Sequence, residues 1–180
     1  IRRNPDITVI AHNNMVYGLT KGQASPTSAR GFTTGLQVHG VISAPLNPLA
    51  LAVSLDASFV ARTFAGDKEE TSRILAAAIE HRGFALVDIF QPCVTFNKVN
   101  TFKWFKEHTR PVADSHDTTD RIRALELAFG TQDLPVGIIY TSEDKPTFEE
   151  ALPVYDSSDR PLYEREVDRE ELRKLVDEMR

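Results

Sequence analysis

The sequence predicts an α/β protein built around a parallel β-sheet. Short runs at 7–12, 59–63, 84–90 and 136–140 are mostly apolar and rich in β-branched and aromatic residues, the composition of strands. Capped helical patterns lie between several of them. The run 84–90 is nearly all apolar, as expected of a strand covered on both faces of a parallel sheet.

The elements follow in order. Ile1-Arg2-Arg3-Asn4-Pro5-Asp6 reads as the end of a helix: basic residues, then Asn, then a proline that cannot continue it. The first residue is Ile, so the expectation is a chain whose N-terminal portion is missing. Residues 7–12 read as a buried strand, and about 13–46 as a long loop rich in Gly, Ser, Thr and Pro. A loop of that length in a compact domain is usually functional or mobile. Asn47 and Pro48 suit the N-cap and first position of a short helix over 47–55.

Strand 59–63 leads to a helix capped by Asp67, with Glu70 in the capping-box position. Its expected buried face is Ile74, Leu75, Ala78 and Ile79, and Gly83 ends it. With strand 84–90 this makes a βαβ unit. Ligands of such sheets bind at the C-terminal ends of strands, so the loops after Ala11 and after Phe90 are the places to look. Residues 101–108 and 118–129 read as helices, the second with Ile122, Leu125 and Phe129 at helical spacing. Residues 151–180 form a charged extension ending in a helix over 168–179.

Composition narrows the function. A net charge of −5 with no basic stretch argues against nucleic-acid binding. No apolar run approaches the roughly 20 residues that cross a bilayer. One cysteine excludes an intrachain disulfide framework and, with no visible secretory signal, favours an intracellular, cytoplasmic setting. The histidines form no metalloprotease spacing, and adjacent His116 and Asp117 are expected to face different ways. Phe102, Trp104 and Phe105 read as core or as a contact between subunits.

The chemistry concentrates in the loop after the first strand. Asn14 offers a side-chain oxygen and Val16 a backbone carbonyl two residues on, a spacing able to fill two positions of a Mg²⁺ ion that also holds a phosphate. An isolated Asn-Asn is more often a simple turn. Glycines at 18 and 22 let backbone approach a ligand, and Lys21 adds positive charge.

The full string Asn-Asn-Met-Val-Tyr-Gly-Leu-Thr-Lys-Gly-Gln-Ala-Ser-Pro-Thr-Ser at 13–28 resembles the beta subunit of 2-oxoacid:ferredoxin oxidoreductases, which bind thiamine diphosphate. Gln91-Pro92-Cys93-Val94-Thr95-Phe96-Asn97 is similar to a second signature of that subunit, and Asn47-Pro48-Leu49 and Phe59-Val60-Ala61-Arg62 also look like it. The resemblance covers about 1–150, which it implies is the C-terminal part of a parallel-sheet thiamine diphosphate-binding domain. It implies that Asn14 and the Val16 carbonyl bind Mg²⁺. Tyr17, Gly18, Leu19, Thr20, Gly22 and Gln23 would then line the loop over the cofactor, with Lys21 toward the substrate carboxylate. Lys21 stands where pyruvate-specific relatives often carry glycine. Cys93 would be one ligand of a [4Fe–4S] cluster, which needs four thiolates.

The implied reaction is oxidative decarboxylation of a 2-oxoacid, with electrons passed to ferredoxin and the acyl group to coenzyme A. The implied partner is the alpha subunit, which would carry the Glu that activates the cofactor. The family's upstream Gly-Asp-Gly, whose Asp is a metal ligand, does not occur among the twelve residues before Asn13. Mg²⁺ and the cluster therefore need ligands this chain lacks, and the loop is expected to be weakly organised on its own. A catalytically inactive α/β fragment, or another thiamine diphosphate-dependent decarboxylase with no role for Cys93, stay open as alternatives.

Overall fold

The computed structural model describes residues 1–130, 133–142, 144–156, 158 and 160–179. Five strands form one sheet: β1 (Ile7–Asn13), β2 (Phe59–Phe64), β3 (Phe84–Phe90), β4 (Thr109–Pro111) and β5 (Leu134–Thr141), in the order β1-β3-β2-β5-β4. Strand β3 runs parallel to both β1 and β2, and β4 parallel to β5. Only the β2–β5 pairing is antiparallel, and its register shifts between Val60 and Ala61. The sheet is therefore mixed but mostly parallel. The short strand β4 carried no sequence signal.

The helices are α1 (Pro48–Ser54), α2 (Lys68–Glu80), α3 (Phe102–His108), α4 (Arg121–Phe129) and α5 (Arg169–Glu178). Their starts follow from capping chemistry. Asn47, Asp67, Thr101, Asp120 and Asp168 each accept a hydrogen bond from a backbone N–H of the first turn. At α2 only half of the expected capping box forms, because Glu70 turns to pair with Arg73 at 2.6 Å.

Alternation along β2 and β3 splits the core between the two sheet faces. Ala61, Ala85, Val87 and Ile89 pack with Ile74 and Ala78 of α2. Val60 and Phe84 pack with Leu49 and Val53 of α1 and with Ala124 and Ala128 of α4. Stacked Phe64, Phe90 and Phe105 close the C-terminal end of the strands.

Three expectations, two about burial and one about a helix end, need correction. The first strand is an edge, not a buried strand: Ile7, Val9 and Ile10 are 37–51% exposed. An apolar run signals burial in an average sheet but does not say which strand lies at the edge. Ile79 of α2, expected on the buried face, is likewise exposed, and so are Ile122 and Phe129 of the helical-spacing set in α4. In α4 the buried positions are the small Ala124 and Ala128, which leaves the larger residues outward, and in α2 Ile74 and Ala78 take the buried positions and leave Ile79 outside. Finally, α2 ends at Glu80, capped by His81 in an extended conformation, two residues before Gly83.

Gly83 serves a different purpose. Its φ is +110°, and a Cβ there would lie 2.6 Å from the Asn4 amide. Asn4, itself at φ 52°, is buried beneath it. Its Oδ1 accepts from Ser58 Oγ (2.7 Å) and from the Phe84 N–H (2.9 Å). Its Nδ2 donates to the carbonyls of Lys145 and Pro146. One side chain thus ties the segment before β1 to the starts of β2 and β3 and to the chain after β5.

Residues Ile1–Phe148 form one compact unit and Glu149–Arg180 a second. In the second, Arg165 donates to the carbonyls of Val154, Ser158 and Arg160 and lies over the Tyr155 ring. Helix α5 carries exposed apolar Leu172, Leu175 and Val176, followed by the exposed C-cap residue Met179. Among the described residues no helix is long and apolar enough to cross a membrane.

Candidate functional site

The parallel register sets Asn13 opposite Phe90, so the loops after β1 and β3 leave the same end of the sheet. They are tied at once: the Gln91 N–H donates to the Asn13 carbonyl at 3.0 Å, and His12 Nδ1 meets Gln91 Oε1 at 2.6 Å.

The loop after β1 is organised rather than loose, contrary to expectation. Asn13 is buried, and its Oδ1 accepts from the Met15 N–H (3.2 Å) and Thr27 Oγ1 (2.7 Å). Ser28, also buried, donates to the Met15 carbonyl at 2.7 Å and accepts from the Ser25 N–H at 2.9 Å. The sequence supplies its own anchors here, because Asn and Ser side chains bond backbone a few residues away.

Within this frame Asn14 Oδ1 accepts the Val16 N–H at 3.1 Å, which fixes the Asn side-chain oxygen beside the turn. Val16 is buried, and its carbonyl accepts no hydrogen bond among the described residues. Tyr17 and Gln23 close a tight tongue, with the Tyr17 N–H donating to Gln23 O (2.7 Å) and the Gly22 N–H to Tyr17 O (3.0 Å). Thr20 Oγ1 donates to the same Tyr17 carbonyl. Lys21 sits at φ 64° and Gly22 at φ 93°, the conformation that turns the tongue back. Leu19 and Lys21 project from the tip, and Leu19 is 99% exposed.

The second motif reaches into the first. Asn97, 1% exposed, donates from Nδ2 to the Asn14 carbonyl at 3.1 Å. Its Oδ1 accepts from the N–H groups of Val99 and Asn100. Cys93 is a half-buried free thiol, and a methyl added at Gly18 would lie 3.2 Å from its Sγ. Every sequence-expected site residue therefore lies on one tongue or beside it. Among the described residues no group of three His, Cys, Asp or Glu side chains could hold a metal.

Sequence reasoning missed the floor. Arg62 of β2 and Asp88 of β3 are register partners, 5% and 0% exposed, joined by Arg62 Nε to Asp88 Oδ2 at 2.9 Å. Burial pulls the Arg62 pKa below its ordinary value, while the charge and hydrogen bond of Asp88 push back. The guanidinium lies 4.6 Å from the Phe90 ring centroid. Asp88 Oδ1 is buried without a hydrogen-bond partner among the described residues, and Asp88 lines a cleft of roughly 200 Å³ with Asn13, Asn14, Val16 and Thr27. The available signal was one charge of opposite sign in each of two otherwise apolar, adjacent strands. Elsewhere His116 bonds the Ile139 carbonyl while Asp117 accepts from Thr119, so the two do face apart.

Comparison with known proteins agrees with this architecture. Residues 1–89 match the family model for the thiamine pyrophosphate enzyme C-terminal TPP-binding domain. Residues 93–157 match the model for the C-terminal region of the pyruvate ferredoxin oxidoreductase beta subunit. Fold and loop thus define a domain of the thiamine pyrophosphate enzyme class.

A 2-oxoacid:ferredoxin oxidoreductase beta subunit from Sulfolobus is 40% identical over 163 residues, covering 84% of this chain and 53% of the relative. One from Aeropyrum pernix is 41% identical over 165 residues, covering 84% and 51%. The solved 2-oxoglutarate:ferredoxin oxidoreductase from Magnetococcus marinus, with 2-oxoglutarate, coenzyme A and succinyl-CoA bound, superposes with a TM-score of 0.88. It is 33% identical, covering 97% of this chain and 60% of that one. The chain belongs to the beta-subunit family of the 2-oxoacid:ferredoxin oxidoreductases, and it spans about half the length of the curated relatives it matches.

Proposed function

We propose that this chain is the part of a 2-oxoacid:ferredoxin oxidoreductase beta subunit that holds the diphosphate end of thiamine diphosphate through Mg²⁺. The observation that carries the reading is the Asn14–Val16 turn. It presents the Asn14 side-chain oxygen, and a Val16 carbonyl that accepts no hydrogen bond among the described residues, at the C-terminal end of a parallel strand, braced from the second motif by Asn97. Two neutral oxygens fit part of the octahedral shell of Mg²⁺, which phosphate oxygens, water and ligands from outside these residues would complete.

Bound thiamine diphosphate supplies the electron sink for decarboxylation. What this chain's own residues do is bind and orient. Tyr17, Gly18, Leu19, Thr20, Gly22 and Gln23 form the tongue over the cofactor, and its turn depends on the positive φ of Lys21 and Gly22. The Lys21 ammonium, exposed at the tip, pairs with a 2-oxoacid carboxylate.

Cys93 is the only thiolate available in the sequence, so these residues alone do not fit a [4Fe–4S] cluster. Cys93 is proposed as one ligand, the other three coming from elsewhere in the enzyme. An alpha subunit, ferredoxin, coenzyme A and a cytoplasmic setting complete the reading. So does the division into a cofactor domain over 1–150 and an extension over 151–180.

Lys21→Ala in the assembled enzyme tests it. The KM for the 2-oxoacid should rise roughly ten- to hundredfold, the cost of one charge-assisted bond, while thiamine diphosphate affinity stays unchanged. An unchanged KM would remove Lys21 from the substrate site. Cys93→Ser should lower the iron content, and unchanged iron would favour a thiamine-dependent decarboxylase without a cluster.

A further inference from the structure

A second, larger cleft of roughly 560 Å³ opens beside the site, between the loop over 44–48, α3, the C-terminal end of α4 and the start of β5. Its walls are apolar, led by Met15, Phe90, Trp104, Phe129 and Leu134. Its one charged lining residue is Arg62, more than nine-tenths buried.

The polar groups of this cleft are unequally satisfied. Asn47 uses Nδ2 on the Ala128 carbonyl and Oδ1 on the Ala50 N–H. Thr27 donates to Asn13 Oδ1, and Asn100 Oδ1 accepts from Asn97. Among the lining side chains, what remains without a partner in the described residues is the terminal Nη groups of Arg62 and the Nδ2 groups of Asn13 and Asn100. All of these are donors. A cleft whose unused side-chain groups only donate is complementary to an oxyanion.

Asp88 narrows the class. It takes only Arg62 Nε, which leaves the two-pronged Nη end for a second planar acceptor. A nearby carboxylate also disfavours a dianion more than a monoanion. The apolar walls suit a hydrocarbon body.

We propose that this cleft binds a small organic monocarboxylate, its carboxylate on the Arg62 Nη groups and its apolar body against Trp104 and Phe129. Lys21 does not line this cleft, which shares Asn13, Thr27 and Pro48 with the smaller cleft beside Asn14, and the proposal does not depend on the thiamine reading.

Trp104 is the only tryptophan of the chain, so its emission reports occupancy directly. The probe is 4-methylpentanoate titrated into the 180-residue chain, with 4-methylpentanamide and inorganic phosphate as controls. A saturable change with the acid, and none with the amide or phosphate, is expected. Arg62→Lys keeps the charge that balances Asp88 but loses the fork, and should weaken binding roughly tenfold or more. If that variant does not fold, Phe129→Ala substitutes at an exposed wall position. It should weaken 4-methylpentanoate and leave acetate unaffected.

Equal binding of acid and amide would overturn the proposal, as would phosphate binding as tightly as the acid. Undiminished affinity in folded Arg62→Lys, or equal losses for both acids in Phe129→Ala, would do the same. So would binding that disappears in a beta subunit of the relatives' full length, because protein would then fill the cleft.

Discussion

Replacing Asn4 with alanine should destabilise the protein far more than its position near the start of the chain suggests. The substitution leaves the Phe84 N–H buried without an acceptor, at about 1–3 kcal/mol. Ser58 is partly protected, because its hydroxyl also meets the Phe84 carbonyl and His81 Nε2. The Lys145 and Pro146 carbonyls lose a donor in a partly buried setting, adding about 1 kcal/mol together. Alanine at φ 52° costs about 1 kcal/mol more than asparagine, which tolerates the left-handed region. The sum is about 3–5 kcal/mol, or a fall of roughly 10 °C in Tm for a chain of this size. Urea denaturation followed by circular dichroism measures it, with Asn4→Gly as the companion variant. Glycine removes the bonds but not the backbone freedom, so it should be about 1 kcal/mol less damaging than alanine. A loss below about 1 kcal/mol for Asn4→Ala, or identical alanine and glycine variants, would refute the clamp.

Arg62→Met should cost about 3–5 kcal/mol in the same assay, because it strands the buried Asp88 carboxylate. Adding Asp88→Leu should recover most of that loss; a double variant as unstable as the single one would contradict the pairing argument. Asp117 should titrate below the usual aspartate range, held there chiefly by the Thr119 hydroxyl and then by the Thr119 N–H. Any stability it lends is therefore present above the ordinary carboxylate pKa and lost as pH falls through its lowered folded value. A carbon-detected NMR titration should show Thr119→Ala moving that pKa upward, and no movement would refute the cause.

Local chemistry made much of the scaffold legible in the sequence. Asn47 and Asp67 are side chains that satisfy helix N-terminal N–H groups, and that role needs no knowledge of the rest of the fold. Strand β3 was legible because burial on both faces leaves a nearly all-apolar run, interrupted only by Asp88. What could not be read was relational. The exposed edge position of β1 depends on sheet order, which no local pattern encodes. The outward turn of Ile122 and Phe129 depends on how closely α4 approaches the sheet through Ala124 and Ala128.

The site divides in the same way. Asn14, Val16 and Lys21 could be named from spacing and resemblance. Asn97 could not be assigned its brace on Asn14, since 83 residues separate the two. Arg62 and Asp88 gain meaning only when the β2–β3 register sets them side by side.

The central claim is that Asn14 and the Val16 carbonyl are ligands of the metal that holds the cofactor. Calorimetric titration of thiamine diphosphate with Mg²⁺ into the assembled enzyme, wild type against Asn14→Ala, tests it most directly. The variant should lose roughly tenfold or more in Mg²⁺-dependent affinity, with its far-ultraviolet circular dichroism unchanged. A folded Asn14→Ala enzyme that binds thiamine diphosphate and Mg²⁺ as tightly as the wild type would contradict it.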